Sequence, residues 1–415
     1  MSAHSHSETC RLDQCLERVV DNRGKTPPLA DDGIELIEIN ALENGHKFVL
    51  FDRVKKFVSP ETHATWFRAG HPRFGDTLIS TVGAIGRVAY INCERGCIAQ
   101  NIIALRPRRE KIYPEFLYYL LASTDTQHRL GNLNIGVAQP SLKVPHLLSL
   151  PIVLPPLEVQ LRIAGILSAY DDLIENNQRR IRILEEMARA LYREWFVHFR
   201  FPGHEAVPRV PSPLGLIPQG WQVRPLEAVC ARITDGAHQS PPSVDEGYPM
   251  ASVKDMHDWG INAESCRRIS EADYEHLVRN NCKPLRNDVL IAKDGSYLKH
   301  TFVVGEEQDF VILSSIAILR PNSVIRPNYL SFTLREPTTK SRMMGFVSGV
   351  AIPRIVLKDF RKFLVLVPPP DIQAAWARHV DPKVELCRKL ISQIQNLRRT
   401  RDLLLPRLLS GQMAI

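Results

Sequence analysis

The chain repeats itself over roughly half its length. Gly136-Val137-Ala138-Gln139-Pro140 returns as Gly349-Val350-Ala351-Ile352-Pro353, 213 positions later (349 − 136). Pro155-Pro156 returns as Pro368-Pro369 at the same offset, and so does the long heptad segment behind it. A unit this long buries its own core, so the repeat is a duplicated domain and not a solenoid element. Two similar modules in one chain suit two similar targets at a fixed separation.

The copies align in detail. Asp21…Pro27-Pro28 matches Asp235…Pro241-Pro242. Gly75-Asp76-Thr77-Leu78-Ile79-Ser80-Thr81-Val82-Gly83 matches Asn287-Asp288-Val289-Leu290-Ile291-Ala292-Lys293-Asp294-Gly295. Both stretches read as short strands punctuated by glycine and aspartate. Ala104-Leu105-Arg106-Pro107 matches Ile318-Leu319-Arg320-Pro321, and each leads to a helix opened by proline, at Pro114 and Pro327. Each copy therefore begins as a mixed α/β globule of about 150 residues, a common domain size.

A proline-flanked strand closes each globule, at 150–156 and 363–369. A short helix, a break and a long helix are expected after it. Ser168-x-x-Asp171 has the form of a capping box, and Asp381-Pro382 is a helix start at the matching place. In the first long helix Tyr170, Ile174, Asn177, Ile181, Leu184, Ala188, Leu191 and Trp195 alternate spacings of four and three. Lys383, Cys387, Leu390, Ile394, Leu397, Arg401, Leu404 and Leu408 do so in the second. This is an a/d seam, with Asn177 able to fix register and Lys383 and Arg401 expected to snorkel. The seam favours antiparallel pairing of the two helices; the alternative is that each covers only its own globule. The domain reading is 1–156 and 201–369 for the globules, the second including a Pro/Gly-rich linker, with helical spacers at 157–200 and 370–415. The fold class is α/β (α+β), two repeated globules joined by an intramolecular antiparallel coiled coil with pseudo-two-fold symmetry.

The chemistry of a catalyst is missing. Gly24-Lys25-Thr26 is not a phosphate loop, because Val19 stands where the first glycine belongs and Pro27-Pro28 blocks the helix. No Asn or Asp precedes a Pro-Pro pair, as an amino-methyltransferase requires. The acidic-x-Lys after Pro370-Asp371, Asp381-Pro382-Lys383, follows too closely for a nuclease signature, and no H-E-x-x-H occurs. The eight cysteines form neither a disulfide framework nor a four-ligand zinc site. No apolar run reaches a membrane span, and the N-terminus lacks the features of a signal peptide, so cytoplasmic residence is expected. The net charge of +8 permits a polyanionic partner, but the excess is spread thinly along the chain.

Recognition remains. Ser80, Thr81, Arg87, Gln139, Ser141 and Lys143 cluster around the glycine turns of the first copy, and Lys293, Asp294, Ser296, Tyr297, Lys299 and Arg354 around those of the second. Such side chains read base edges and phosphates, with Asp accepting from cytosine and Lys or Arg donating to guanine. Taken singly, each is better read as a solvated turn residue; as a set on two repeated loops, they favour binding.

Leu154-Pro155-Pro156-Leu157-Glu158-Val159-Gln160, Ile163-Ala164-Gly165-Ile166-Leu167 and Asp172-Leu173-Ile174-Glu175-Asn176-Asn177 resemble the central region of type I restriction–modification DNA specificity subunits. Leu404-Leu405-Pro406-Arg407-Leu408-Leu409-Ser410-Gly411 resembles the distal region. The likeness spans nearly the whole chain through the order and duplication of its motifs. It implies two target recognition domains, each reading half of a bipartite site in double-stranded DNA, spaced by the helical pair. It also implies two methyltransferase subunits and motor-nuclease subunits as partners, in defence against foreign DNA. S-adenosylmethionine, ATP and magnesium would belong to those partners; this chain would bind no cofactor or metal and would not be an enzyme. The copies depart from each other at Gln139, replaced by Ile352, and at Trp221, opposite Ser7. A helix over about 169–196 would span roughly 40 Å, close to one DNA turn of roughly 34–36 Å. A methylation-only or fused methylation–cleavage system is the near alternative. A self-sufficient DNA-modifying enzyme or a scaffold that reads no DNA is the distant one.

Overall fold

The computed structural model describes residues 7–136, 140–294, 298–348 and 354–413. It divides into two compact units, one of residues 1–178 and 392–415, the other of residues 179–391. The division falls inside the two long helices, so each unit holds one globule and part of both helices.

In the first unit, Leu16–Val20 (β1), Thr77–Ser80 (β2), Val88–Tyr90 (β3) and Ile102–Pro107 (β4) form an antiparallel sheet in the order β1-β4-β2-β3. β2, β3 and β4 are buried on both faces, which explains their near-continuous apolar runs. One face packs on Pro114–Ala122 (α1) through Ile79, Leu105, Phe116 and Leu117. The other packs Leu78, Ala89 and Ala104 on Ile37, Ala41 and Leu42. Ile34–Ile37 lies between Phe57–Val58 and Cys97–Ile98 in a smaller sheet. Glu8–Arg11 pairs with Pro151–Leu154, and Leu157–Tyr192 (α2) follows.

The second unit has the same plan. Cys230–Asp235 (β5), Val289–Ala292 (β6), Thr301–Val303 (β7) and Ile316–Pro321 (β8) take the order β5-β8-β6-β7. β1 and β5 carry the same register shift, at Leu16/Arg18 and Cys230/Arg232. Pro327–Arg335 (α3) corresponds to α1, and Gln222–Pro225 pairs with Leu364–Val367 ahead of Pro370–Leu409 (α4). Gly33 and Gly247 hold φ of +127° and +154°, and a Cβ on them would lie 2.5 Å and 2.1 Å from the oxygens of Val58 and Ile269. Both positions need glycine.

Three expectations are corrected. First, α2 and α4 run without a break across Ser168 and Asp381-Pro382. Ser168 is no cap: its hydroxyl donates to Glu115 Oε1 (3.1 Å) and accepts from Lys47 Nζ (2.9 Å), all drawn from the first unit. Asp381, at the matching place, accepts from Asn328 Nδ2 (2.8 Å). These residues tie the helix to its globule, and that packing outweighs a local stop signal. Second, Arg401 is buried and does not snorkel. It pairs with buried Asp171. Third, the proline- and glycine-rich stretch after 201 holds a hairpin, Arg209–Ser212 with Gly215–Pro218.

Each helix serves both a seam and a globule. In the first unit Ile163, Ala164 and Leu167 of α2 share one core with Leu405 and Leu408 of α4. In the second, Ala188, Tyr192, Trp195 and Phe196 share another with Trp376, Ala377, Val380 and Val384. Of the seam positions, Ile174, Asn177, Trp195, Leu390, Ile394 and Leu408 are buried. Tyr170, Ile181, Leu184, Leu191, Leu397 and Leu404 are half-buried. Within each unit the helices run antiparallel: Asp171 meets Arg401 and Asn177 Nδ2 lies 3.5 Å from Gln393 in one, and Ile181 meets Cys387 while Trp195 meets His379 in the other.

Candidate nucleic-acid interface

One end of each four-stranded sheet carries the turn that leaves β2 or β6, and the same backbone bonds hold it in both units. Thr81 N donates to Asn101 O (2.9 Å), and Leu142 N donates to Thr81 O (2.8 Å). In the second unit Lys293 N donates to Ser315 O (2.8 Å), and Ile355 N donates to Lys293 O (3.0 Å). Gly86 N to Ser80 O and Leu298 N to Ala292 O are both 2.9 Å. A bridge joins Val82 to Ser141 and another joins Asp294 to Arg354. Backbone bonds do not specify side chains. The shared frame therefore presents Ser80, Thr81, Val82 and Ser141 in one unit and Ala292, Lys293, Asp294 and Arg354 in the other.

In the first unit much of the predicted set is structural. Ser80 is fully buried; its hydroxyl donates to Ala84 O (2.5 Å) and accepts from Arg87 N (2.9 Å). Thr81 is also fully buried, with Oγ1 3.4 Å from Asn101 O. Neither hydroxyl is exposed to a ligand, which corrects their reading as base contacts. Arg87 Nη1 donates to the carbonyls of Leu42 (3.1 Å) and Ile39 (3.4 Å), so it too braces the turn. Ser141 is half-buried and its N donates to Asn134 Oδ1 (2.9 Å), while Lys143 is exposed. Gln139 lies outside the described residues.

The second unit is more polar at this place. Lys293 is buried and its Nζ donates to Asp235 Oδ2 (2.6 Å). Burial pushes the Asp294 carboxyl above the usual carboxylate range, opposed by Lys293 and Arg354. Asp294 Oδ1 is buried and accepts no hydrogen bond among the described residues, with Lys293 Nζ 3.9 Å away. Arg354 and Lys299 are exposed; Ser296 and Tyr297 lie outside the described residues. Beside this group a cleft of about 770 Å³ runs between Asp235, His238 and Gln239 on one side and Asp273, His276 and Asn280 on the other. Inspection of the glycine turns alone missed this wall. The repeated Asp235…Pro241-Pro242 motif was the signal for it.

The type I restriction modification DNA specificity domain model matches residues 71–186 and again 218–397. The chain belongs to that family. This specificity subunit is similar to the type I restriction enzyme MjaIX specificity subunit of Methanocaldococcus jannaschii, with 27% identity over 82% of this chain and 78% of that one. It is similar to the HindI specificity subunit of Haemophilus influenzae, with 22% identity over 82% and 86%. A solved S subunit of a type I restriction-modification system from M. genitalium shares the fold, with a TM-score of 0.52 at 15% identity over 97% of this chain and 96% of that one.

The most conspicuous repeated motifs of the specificity subunit turn out to be its clamps. Asp76 and Arg106 form a bidentate buried pair (3.0 and 2.8 Å), and buried Asp288 holds the half-buried Arg320 in the same bidentate way (2.8 and 2.8 Å). The same aspartates accept a backbone bond, from Arg73 N (2.9 Å) and Leu285 N (2.8 Å). Gln160 Oε1 accepts from Tyr113 N (2.9 Å), and its Nε2 donates to Pro155 O (2.8 Å) and Lys111 O (3.2 Å). Gln373 repeats all three bonds with Arg326 N, Pro368 O and Val324 O. Among the described residues no group of three or more His, Cys, Asp or Glu side chains is placed to hold a metal ion, and no helix is long and apolar enough to cross a membrane.

Proposed function

We propose that each recognition globule reads one half of a bipartite site in double-stranded DNA through the loop end of its sheet. The observation that carries this reading is the shared backbone frame with different side chains in each unit. A common frame fits a common ligand, B-form DNA, and unlike side chains fit unlike sequences. The exposed cations Lys143, Lys299 and Arg354 are the base- or phosphate-contacting candidates, and Asp294 a cytosine acceptor. Two methyltransferase subunits, and motor-nuclease subunits when cleavage follows, would supply the catalysis, with S-adenosylmethionine, ATP and magnesium bound there and not by this chain.

Arg354→Ala is expected to relax one position of one half-site and weaken binding by about 1–3 kcal/mol, the size of a lost bidentate base contact. Single-molecule methylome sequencing of cells carrying the variant and its partners reads this directly. An unchanged motif, or equal loss in both half-sites, would sink the assignment.

The long helices are proposed to set the spacer between half-sites. A heptad added to both α2 and α4 lengthens each by roughly 10 Å. At 3.4 Å per base pair the spacer should grow by up to about three base pairs, with both half-sites retained. Altered half-sites with an unchanged spacer in the methylome would refute the ruler.

A further inference from the structure

The residues that join the long helices differ between the units in a correlated way. In the first unit Asp171 of α2 and Arg401 of α4 are 4% and 5% exposed and paired. Tyr119 donates its hydroxyl to Asp171 Oδ2 (2.5 Å), and Arg401 Nη1 also donates to Gly45 O (3.2 Å). The repeat offset places Val384 at the position of Asp171, Ala188 at that of Arg401 and Phe332 at that of Tyr119. These three are buried together in the apolar core of the second unit. The hydroxyl, the carboxylate and the guanidinium are thus present as a set or absent as a set.

The equivalence is structural as well as numerical. Gln160 and Gln373 make the same three bonds, and the pairs Glu115–Ser168 and Asn328–Asp381 occupy the same place. Because the copies are alike, α2 could meet a second copy's α2 through the contacts that now seat α4. Asp171 would then face alanine, and a buried carboxylate would lose its guanidinium in both chains. If α4 met a second copy's α4, Arg401 would face valine and keep only the exposed carboxylate of the adjacent Asp402, to which its Nε and Nη2 donate (2.9 and 2.8 Å). A buried charge without its counter-ion is strongly unfavourable, and polar seam residues are known to select partners for this reason.

We propose that Tyr119, Asp171 and Arg401 form a pairing code that makes α2 choose α4 and makes each long helix reject a second copy of itself. Only the pairing of α2 with α4 gives the buried Asp171 carboxylate a guanidinium and Arg401 a buried carboxylate. The code lies in helices and α1, outside the loop frame described above, so it operates whatever sequence the globules read.

The test uses the full chain, co-expressed as two differently tagged copies with its methyltransferase partners. One tag is captured and the other is measured in the soluble complex. Wild type and the charge-reversed D171R/R401D are expected to show background co-capture, since in both α2 is complementary only to α4 and the α4 of the same chain has the higher effective concentration. Tyr119→Phe with D171V and R401A writes the apolar set of the second unit into the first. Co-capture should rise at least about fivefold, because self-pairing no longer buries a lone charge. No rise, or equal co-capture for wild type, overturns the proposal. So does loss of the apolar variant from the soluble complex, which would make the set a requirement for folding and not for partner choice.

Discussion

Asp76→Ala is expected to lower the stability of the first unit by about 3–5 kcal/mol, the usual cost of removing one partner from a buried ion pair. The carboxylate is fully enclosed, holds Arg106 through two bonds and caps the turn at Arg73. Without it a largely buried guanidinium on β4 has no counter-ion. Asp288→Ala should do the same in the second unit through Arg320. Replacing both members of a pair by apolar residues should cost less than removing one. With two units in the chain, a single global unfolding curve is a poor readout. Hydrogen exchange resolved by peptide is better: D76A should lose protection over β2 and β4, with β6 and β8 unchanged. Equal protection in variant and wild type would show that the pair adds nothing.

Gln160→Leu should detach the start of α2 from its globule, at a cost of roughly 2–4 kcal/mol. The substitution leaves one backbone N–H and two carbonyls without partners, and each such buried group costs about 1–3 kcal/mol, partly relieved by water. Gln373→Leu is its counterpart, because the same three bonds recur on Arg326, Pro368 and Val324. Gln160→Asn is one methylene too short to span all three and should fall between wild type and leucine. Protease cleavage within 108–113 measures the effect: the rate should rise in the order wild type, Asn, Leu. A leucine variant cut no faster than wild type would make the glutamine a bystander.

Much of the architecture was legible before the structure because it depends on repetition and local pattern. Proline-started helices at Pro114 and Pro327, the strands after Gly75 and Asn287, and the heptad spacing of α2 and α4 follow from backbone preference and periodicity. The site was less legible. Polar residues in the glycine turns drew attention as contacts, yet Ser80 bonds within the turn, and Thr81 and Arg87 donate to backbone carbonyls packed beside it. Lys293 and Thr81 occupy the same backbone position with different roles, and only the fold shows that Asp235 reaches Lys293. The apparent helix start at Ser168 failed for a related reason. Its hydroxyl found Glu115 and Lys47, residues distant in sequence, in preference to its own backbone.

By itself the sequence determined that this protein is a duplicated α/β globule, each copy closed by a long heptad helix, of the type I DNA specificity family. Those properties are local or periodic, so one chain read in order carries them. Only the tertiary structure decided that the repeated Asp76, Arg106 and Gln160 are clamps and that Arg401 is buried against Asp171. It also decided that one backbone frame displays two unlike sets of side chains. Such roles depend on which residues far apart in the chain come within hydrogen-bond reach, and that is set by packing, not by spacing.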